Sequence, residues 1–247
     1  MSNRKIYIVK VNPEFTDIKP FFLLLPELFK EKKGELIKSG RNEIRILDFN
    51  GRKYVAKSFK INAISRFIYC RFRKSKSERS YIHAIALQNI GIGTPKPIGY
   101  MDVKSNYILK ESFYVSLLSE CKYVYVNIFS TKFEYEDEIM REIGRTTALM
   151  HNNGFAHKDF GRGNILFDKT KYGKVKIELV DLNRMFIGKI DFKRGCKNLE
   201  RLPANQHQHR LIAEEYAKGR GYDANQCYEL IRKYRSTQPG KIVAEGF

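Results

Sequence analysis

Acidic residues are scarce in this chain: 27 Asp and Glu stand against 46 Lys and Arg, a formal charge of +19 over 247 residues. A surface of that sign calls for a polyanion, an anionic membrane face or an acidic substrate. Cysteine is sparse as well. Cys70, Cys121, Cys196 and Cys227 are scattered without a Cys-x-x-Cys pair, which argues against a zinc site and a disulfide framework and predicts reduced thiols in a cytoplasm. Long hydrophobic runs are missing. The greasiest stretch, "FFLLLPELF" from Phe21 to Phe29, is interrupted by Pro26 and falls short of the roughly 20 residues that span a bilayer. No signal segment and no transmembrane helix are expected. There is no internal repeat or low-complexity tract, and a chain that is 43% hydrophobic can bury a sizeable core as one large domain or two small lobes.

The positive charge is concentrated. From Gly51 to Ser80 there are ten Lys or Arg and one acid, Glu78. Within this stretch Ile61, Ile64, Phe67, Ile68 and Phe72 recur at helical spacing while Lys60, Arg66, Arg71 and Arg73 interleave. A basic amphipathic segment over Lys60–Lys76 either docks on an anionic membrane or packs on the core with a solvated basic back.

The first forty residues give no clear pattern. "GELIKSG", "EIRILDF" and "KYVAKSF" then predict three antiparallel strands, the last two joined at "DFNG". A helix follows from Ser77 and stops at Gly91, and two further strands run through "TPKPIGYMDV" and "YILKESFYVSLLSE". The second half reads as mainly helical, with a helix over Glu134–Gly154 opened by acids and helical patterns between Arg210 and Arg235. The expectation is an α+β, two-lobed chain: residues 1–119 as an N-lobe with an antiparallel sheet and one main helix, residues 120–247 as a mainly helical C-lobe.

The chemistry sits in "HKDFGRGNILFD". Asp159 lies two residues after His157 and five before Asn164, the spacing of the protein-kinase catalytic loop. There the acid orients an attacking hydroxyl and accepts its proton, and the amide oxygen serves Mg2+. Asp181, 22 residues past Asp159 in "IELVDLNRM", follows an apolar strand as the second metal-binding carboxylate does, although Asp181-Leu182-Asn183 lacks the usual glycine. Upstream, "YVAK" puts Lys57 on the third strand as a phosphate anchor, with Glu78 on the next helix as its ion-pair partner and Glu111 as the other available acid. The phosphate loop reduces to "SGRN", where Gly40 would allow backbone approach and Arg41 could contact phosphate. ATP and Mg2+ are therefore the expected cofactors, with Asp159, Lys57 and Glu78 catalytic, Lys57, Gly40, Asn164 and Asp181 binding nucleotide, and Asn164 and Asp181 on the metal.

Together, "SRFIYCRFRKSKSERSYIHAIALQNIGIGTPKPIGY", "HNNGFAHKDFGRGNILFD" and "VDLNRMF" resemble the bacterial lipopolysaccharide core kinases, the Kdo and heptose kinase (Kdo/WaaP) group, distant relatives of protein kinases. The likeness runs from Gly34 to Leu202. It implies transfer of the ATP γ-phosphate to a sugar hydroxyl of the lipid A inner core at the cytoplasmic face of the inner membrane, with an anionic glycolipid as substrate, peripheral membrane contact and no nucleic acid. The basic residues of "KRGCKNLERL" (Lys193 to Leu202) are candidates for acceptor phosphate contacts or belong to a surface helix. An atypical protein kinase and an inactive kinase-like module with a basic surface are the alternatives. The acceptor sugar and the oligomeric state are not legible.

Overall fold

The computed structural model describes residues 5–61, 74–106 and 108–236. Most of the basic segment Lys60–Lys76 lies outside the described residues. The chain divides into two compact units, one of residues 1–86 with 95–119, the other of residues 87–94 with 120–247.

The first unit is an antiparallel six-stranded sheet: β1 (Lys5–Val11), β2 (Glu35–Lys38), β3 (Asn42–Phe49), β4 (Arg52–Phe59), β5 (Pro97–Ser105) and β6 (Ile108–Leu117), in the order β1-β5-β6-β4-β3-β2. Period-two alternation assigns its faces. Tyr54, Ala56, Met101, Val103, Phe113 and Val115 turn to one side and form a core with Phe21, Phe22 and Leu25 of α1 (Lys19–Lys30). The "FFLLLPELF" run is thus a helix covering the sheet, additional to the one main helix expected from sequence. Pro20 stands at its entry and Pro26 inside it, two residues that conceal a helix from pattern reading.

The opposite face carries α2 (Lys76–Asn89), with Tyr81 against Tyr100 at 5.8 Å between ring centroids. Its start is held by a buried polar cluster. Ser75 Oγ accepts the Glu78 N–H at 3.0 Å, an N-cap bond. Ser77 Oγ donates to Asp102 Oδ1 at 2.7 Å and accepts from Ser112 Oγ at 2.8 Å. Burial pushes the Asp102 carboxyl above the usual carboxylate range, and the three serine hydroxyls pull it only part of the way back. The folded state therefore holds the Asp102 proton more tightly than the unfolded chain. The associated stability is full below the ordinary carboxylate range and is lost as pH rises through the raised value. Asp102→Asn keeps an oxygen for Ser77 and removes the charge, so denaturant midpoints should lose this fall between acid and neutral pH; an undiminished fall would assign it elsewhere.

The second unit holds α3 (Glu136–Asn152), α4 (Phe192–Leu199), α5 (Gln206–Arg220) and α6 (Ala224–Ser236). Two small sheets accompany them: β7 (Tyr123–Val124), β9 (Ile165–Lys169) and β10 (Val175–Leu179) in the order β10-β9-β7, and β8 (Phe155–His157) with β11 (Met185–Ile187). Residues 87–94 belong here because Gly93 accepts the Leu179 N–H at 2.9 Å. The approach demands glycine, since a Cβ on Gly93 would sit 2.1 Å from the Ile177 carbonyl oxygen. Among the described residues no helix is long and apolar enough to cross a membrane.

Candidate active site

The pairing of short strands places the two chemistry-bearing loops together. β8 pairs with β11 and β9 with β10, all antiparallel, so the β8–β9 loop (158–164) and the β10–β11 loop (180–184) emerge side by side. His157 then bolts one to the other. Its Nδ1 accepts the Asp159 N–H at 3.1 Å, which fixes the proton on Nε2, and Nε2 donates to the Val180 carbonyl at 3.0 Å. The Val180 N–H returns a bond to the Asn164 carbonyl at 3.0 Å. Both main-chain groups of the residue before Asp181 are thereby committed, the carbonyl to the end of β8 and the N–H to the loop that carries Asp159 and Asn164.

Inside that loop the Asn164 amide N–H donates to the Asp159 carbonyl at 2.8 Å, and the Asn164 main-chain N–H to the Gly161 carbonyl at 2.9 Å. The side-chain bond uses the nitrogen of the amide and leaves its oxygen as the atom to offer a cation. Asp181 stands in the left-handed region at φ 61°, a conformation that Asp tolerates better than most side chains. The Asn183 amide hydrogen-bonds its Oδ1. Asp159 Oδ1 meets Arg201 Nη1 at 3.3 Å, with both side chains about half exposed.

A second layer holds the first. Asn198 of α4 donates to the His157 carbonyl at 2.9 Å and accepts from His151 Nε2 at 3.0 Å. This assigns the His151 proton to Nε2, so Nδ1 accepts from Tyr216 Oη at 3.0 Å. Burial lowers the His151 pKa to about 4 and pushes the Tyr216 hydroxyl well up, so both stay neutral and serve as fixed dipoles. Sequence reading missed Asn198 and the pairing of Arg201 with Asp159; neither has a local pattern to reveal it.

In the first unit Lys57 is buried on β4, its Nζ 5.0 Å from the Phe59 ring centre. Lys57 pairs in register with Tyr114, and Tyr114 with Tyr100, which puts all three on the face that α2 covers. Glu78 lies in the first turn of α2. Its charge reaches this row: burial, then Glu78 and then Asp102 raise the Tyr100 pKa to about 12. The sheet and helix therefore bring Lys57 and Glu78 to one face. Gly40 sits at φ 141° in the β2–β3 turn with open space where a Cβ would project. Glu111, on β6, pairs in register with Val103.

In the second unit the oxygens of Asn164, Asp181 and Asp159 lie on two tied loops, and in the first a buried lysine stands on a strand; these are residue types that phosphoryl transfer uses. Among solved structures the chain is similar to one described as "WaaP in complex with acyl carrier protein", at a TM-score of 0.62 and 15% identity, over 93% of this chain and 98% of that one. It is also similar to the Rio2 kinase–ADP/Mg2+–phosphoaspartate complex from Chaetomium thermophilum, at a TM-score of 0.47 and 14% identity, over 93% of this chain and 65% of that one. No curated protein sequence matches the chain. The fold is kinase-like, an antiparallel sheet unit followed by a mainly helical one. The model of the lipopolysaccharide kinase (Kdo/WaaP) family matches residues 39–218, a span that holds Gly40, Lys57, Glu78, Asp159, Asn164 and Asp181, and the chain belongs to that family.

Proposed function

We propose that this chain transfers the γ-phosphoryl group of ATP to a sugar hydroxyl, of Kdo or heptose, in the inner core of lipopolysaccharide. The observation that carries the reading is the double tie through Val180, which holds the Asp159–Asn164 loop against the residue preceding Asp181. Without it a carboxylate, an amide and a second carboxylate would be scattered polar residues.

Asp159 holds the acceptor hydroxyl and takes its proton as the oxygen attacks the γ-phosphorus. The new P–O bond forms while the bond to the bridging oxygen breaks, and ADP leaves with that electron pair. The Asn164 amide oxygen and the Asp181 carboxylate suit Mg2+, a hard cation that accepts a few protein oxygens and keeps phosphate and water as its other ligands. Among the described residues no group of three or more His, Cys, Asp or Glu forms a site of a different type. When bound, that ion neutralises charge on the phosphates. Lys57 anchors the phosphates and Glu78 orients Lys57, while Gly40 leaves room for close backbone approach. The net charge of +19 favours an anionic glycolipid and peripheral contact with the anionic inner face of the inner membrane.

The experiment is a thermal melt with and without ATP and Mg2+. Binding should raise stability by RT ln(1 + [L]/Kd), and the rise should require the metal. No shift at millimolar nucleotide would leave a binding module with a kinase-like fold.

A further inference from the structure

Behind α4 the chain makes a turn whose construction points outward. Glu200 and Leu202 are buried, while Arg201 between them is exposed. Arg235 of α6, itself buried, donates through Nη1 to the Glu200 carbonyl at 3.1 Å and the Leu202 carbonyl at 3.0 Å. His209 Nε2 donates to the same Leu202 carbonyl at 3.2 Å, and Tyr125 Oη donates to the Pro203 carbonyl at 2.7 Å. A buried guanidinium is ordinarily matched by an acid. Here Arg235 clamps the main chain on either side of one residue, and that residue is the arginine that reaches Asp159.

We infer that Arg201 is a binding residue for an anionic group, carboxylate or phosphate, carried by the acceptor beside the hydroxyl it presents to Asp159. The inference rests on the role given to Asp159 above. A brace for Asp159 is not what the loop lacks, since its main-chain N–H and C=O are already bonded to His157 and Asn164. The pair with Arg201 is half exposed, and an ion pair of that kind is weakly held and readily exchanged. It occupies Nη1 alone, whereas a guanidinium offers five donors in a planar fork that fits carboxylate or phosphate bidentately. Lys158, Arg162 and Arg184 are exposed on the two adjoining loops, and the Lys158 N–H is fixed to the Arg184 carbonyl at 2.8 Å. The two loops that carry Asp159 and Asp181 thus expose three cationic residues besides Arg201.

The test uses the whole chain with purified inner-core oligosaccharide as acceptor, its phosphates intact or stripped with hydrofluoric acid, and follows transfer of labelled phosphate from ATP. Arg201→Gln should raise the acceptor KM by about 10- to 100-fold, the loss expected for a hydrogen bond to a charged group. The nucleotide-dependent thermal shift should stay as in the wild type, and Arg201→Lys should recover part of the loss. If the defect disappears on stripped acceptor the anion is a phosphate; if it persists, a sugar carboxylate. Unchanged acceptor KM in Arg201→Gln, or an equal weakening of nucleotide binding, overturns the inference while leaving the function intact. A wild-type chain that binds nucleotide but labels no oligosaccharide removes the proposed acceptor, and this inference with it.

Discussion

Replacing Asp159 by Ala should lower turnover by about 10²- to 10⁴-fold, the contribution of a positioned general base, with almost no change in stability. The two halves of that expectation come from different atoms. The loop is held through the backbone of Asp159, whose N–H goes to His157 and whose carbonyl receives Asn164, and the substitution spares both. What folding loses is one half-exposed pair with Arg201, a contact of about 0–1 kcal/mol. A melting temperature within a degree or so of wild type, beside a collapsed rate of phosphate transfer, would separate chemistry from scaffolding. Wild-type turnover in the variant would remove Asp159 from the reaction.

The second large effect belongs to Asp181. Asn is the informative replacement because it accepts the left-handed backbone that Asp181 adopts at φ 61°, and its carbonyl oxygen can receive the Asn183 amide as Asp181 Oδ1 does. Only the negative charge goes. If that charge holds the metal, turnover should fall by about 10²- to 10³-fold, the scale of a lost electrostatic contact to the transition state. Addition of Mg2+ should no longer deepen the thermal shift with ATP. Asp181→Ala would be harder to read, since an alanine in the left-handed region adds strain of about 1–2 kcal/mol. A variant Asp181→Asn that keeps its magnesium response would move the metal site elsewhere.

What could be read from the sequence was whatever local spacing determines. Strands β2 to β4 alternate over short distances with turns between them, and the His157–Asp159–Asn164 spacing lies within one loop. β1 escaped because it is a sheet edge whose partner strand is Pro97–Ser105, and because Ile6, Tyr7 and Ile8 are all exposed, which blurs the alternation that marks a half-buried strand. β8 and β11 have three residues each, too few to show a period. Asn198 and Arg201 act on residues 41 and 42 positions earlier, and no spacing rule links a loop to a helix so far downstream. The serines and acid around Asp102 were invisible for the same reason, since Ser77, Asp102 and Ser112 meet only once α2 lies on the sheet.

The bond from Leu179 to Gly93 bears on how the helical half could be handled by itself. A fragment cut to begin at Glu120 would lack residues 87–94, strip β10 of a main-chain acceptor and expose the Ile177 backbone that Gly93 approaches. Excision would have to carry the tail of α2 along as a separate or relinked peptide. Supplying that short peptide in trans should then rescue solubility in a fragment that otherwise aggregates.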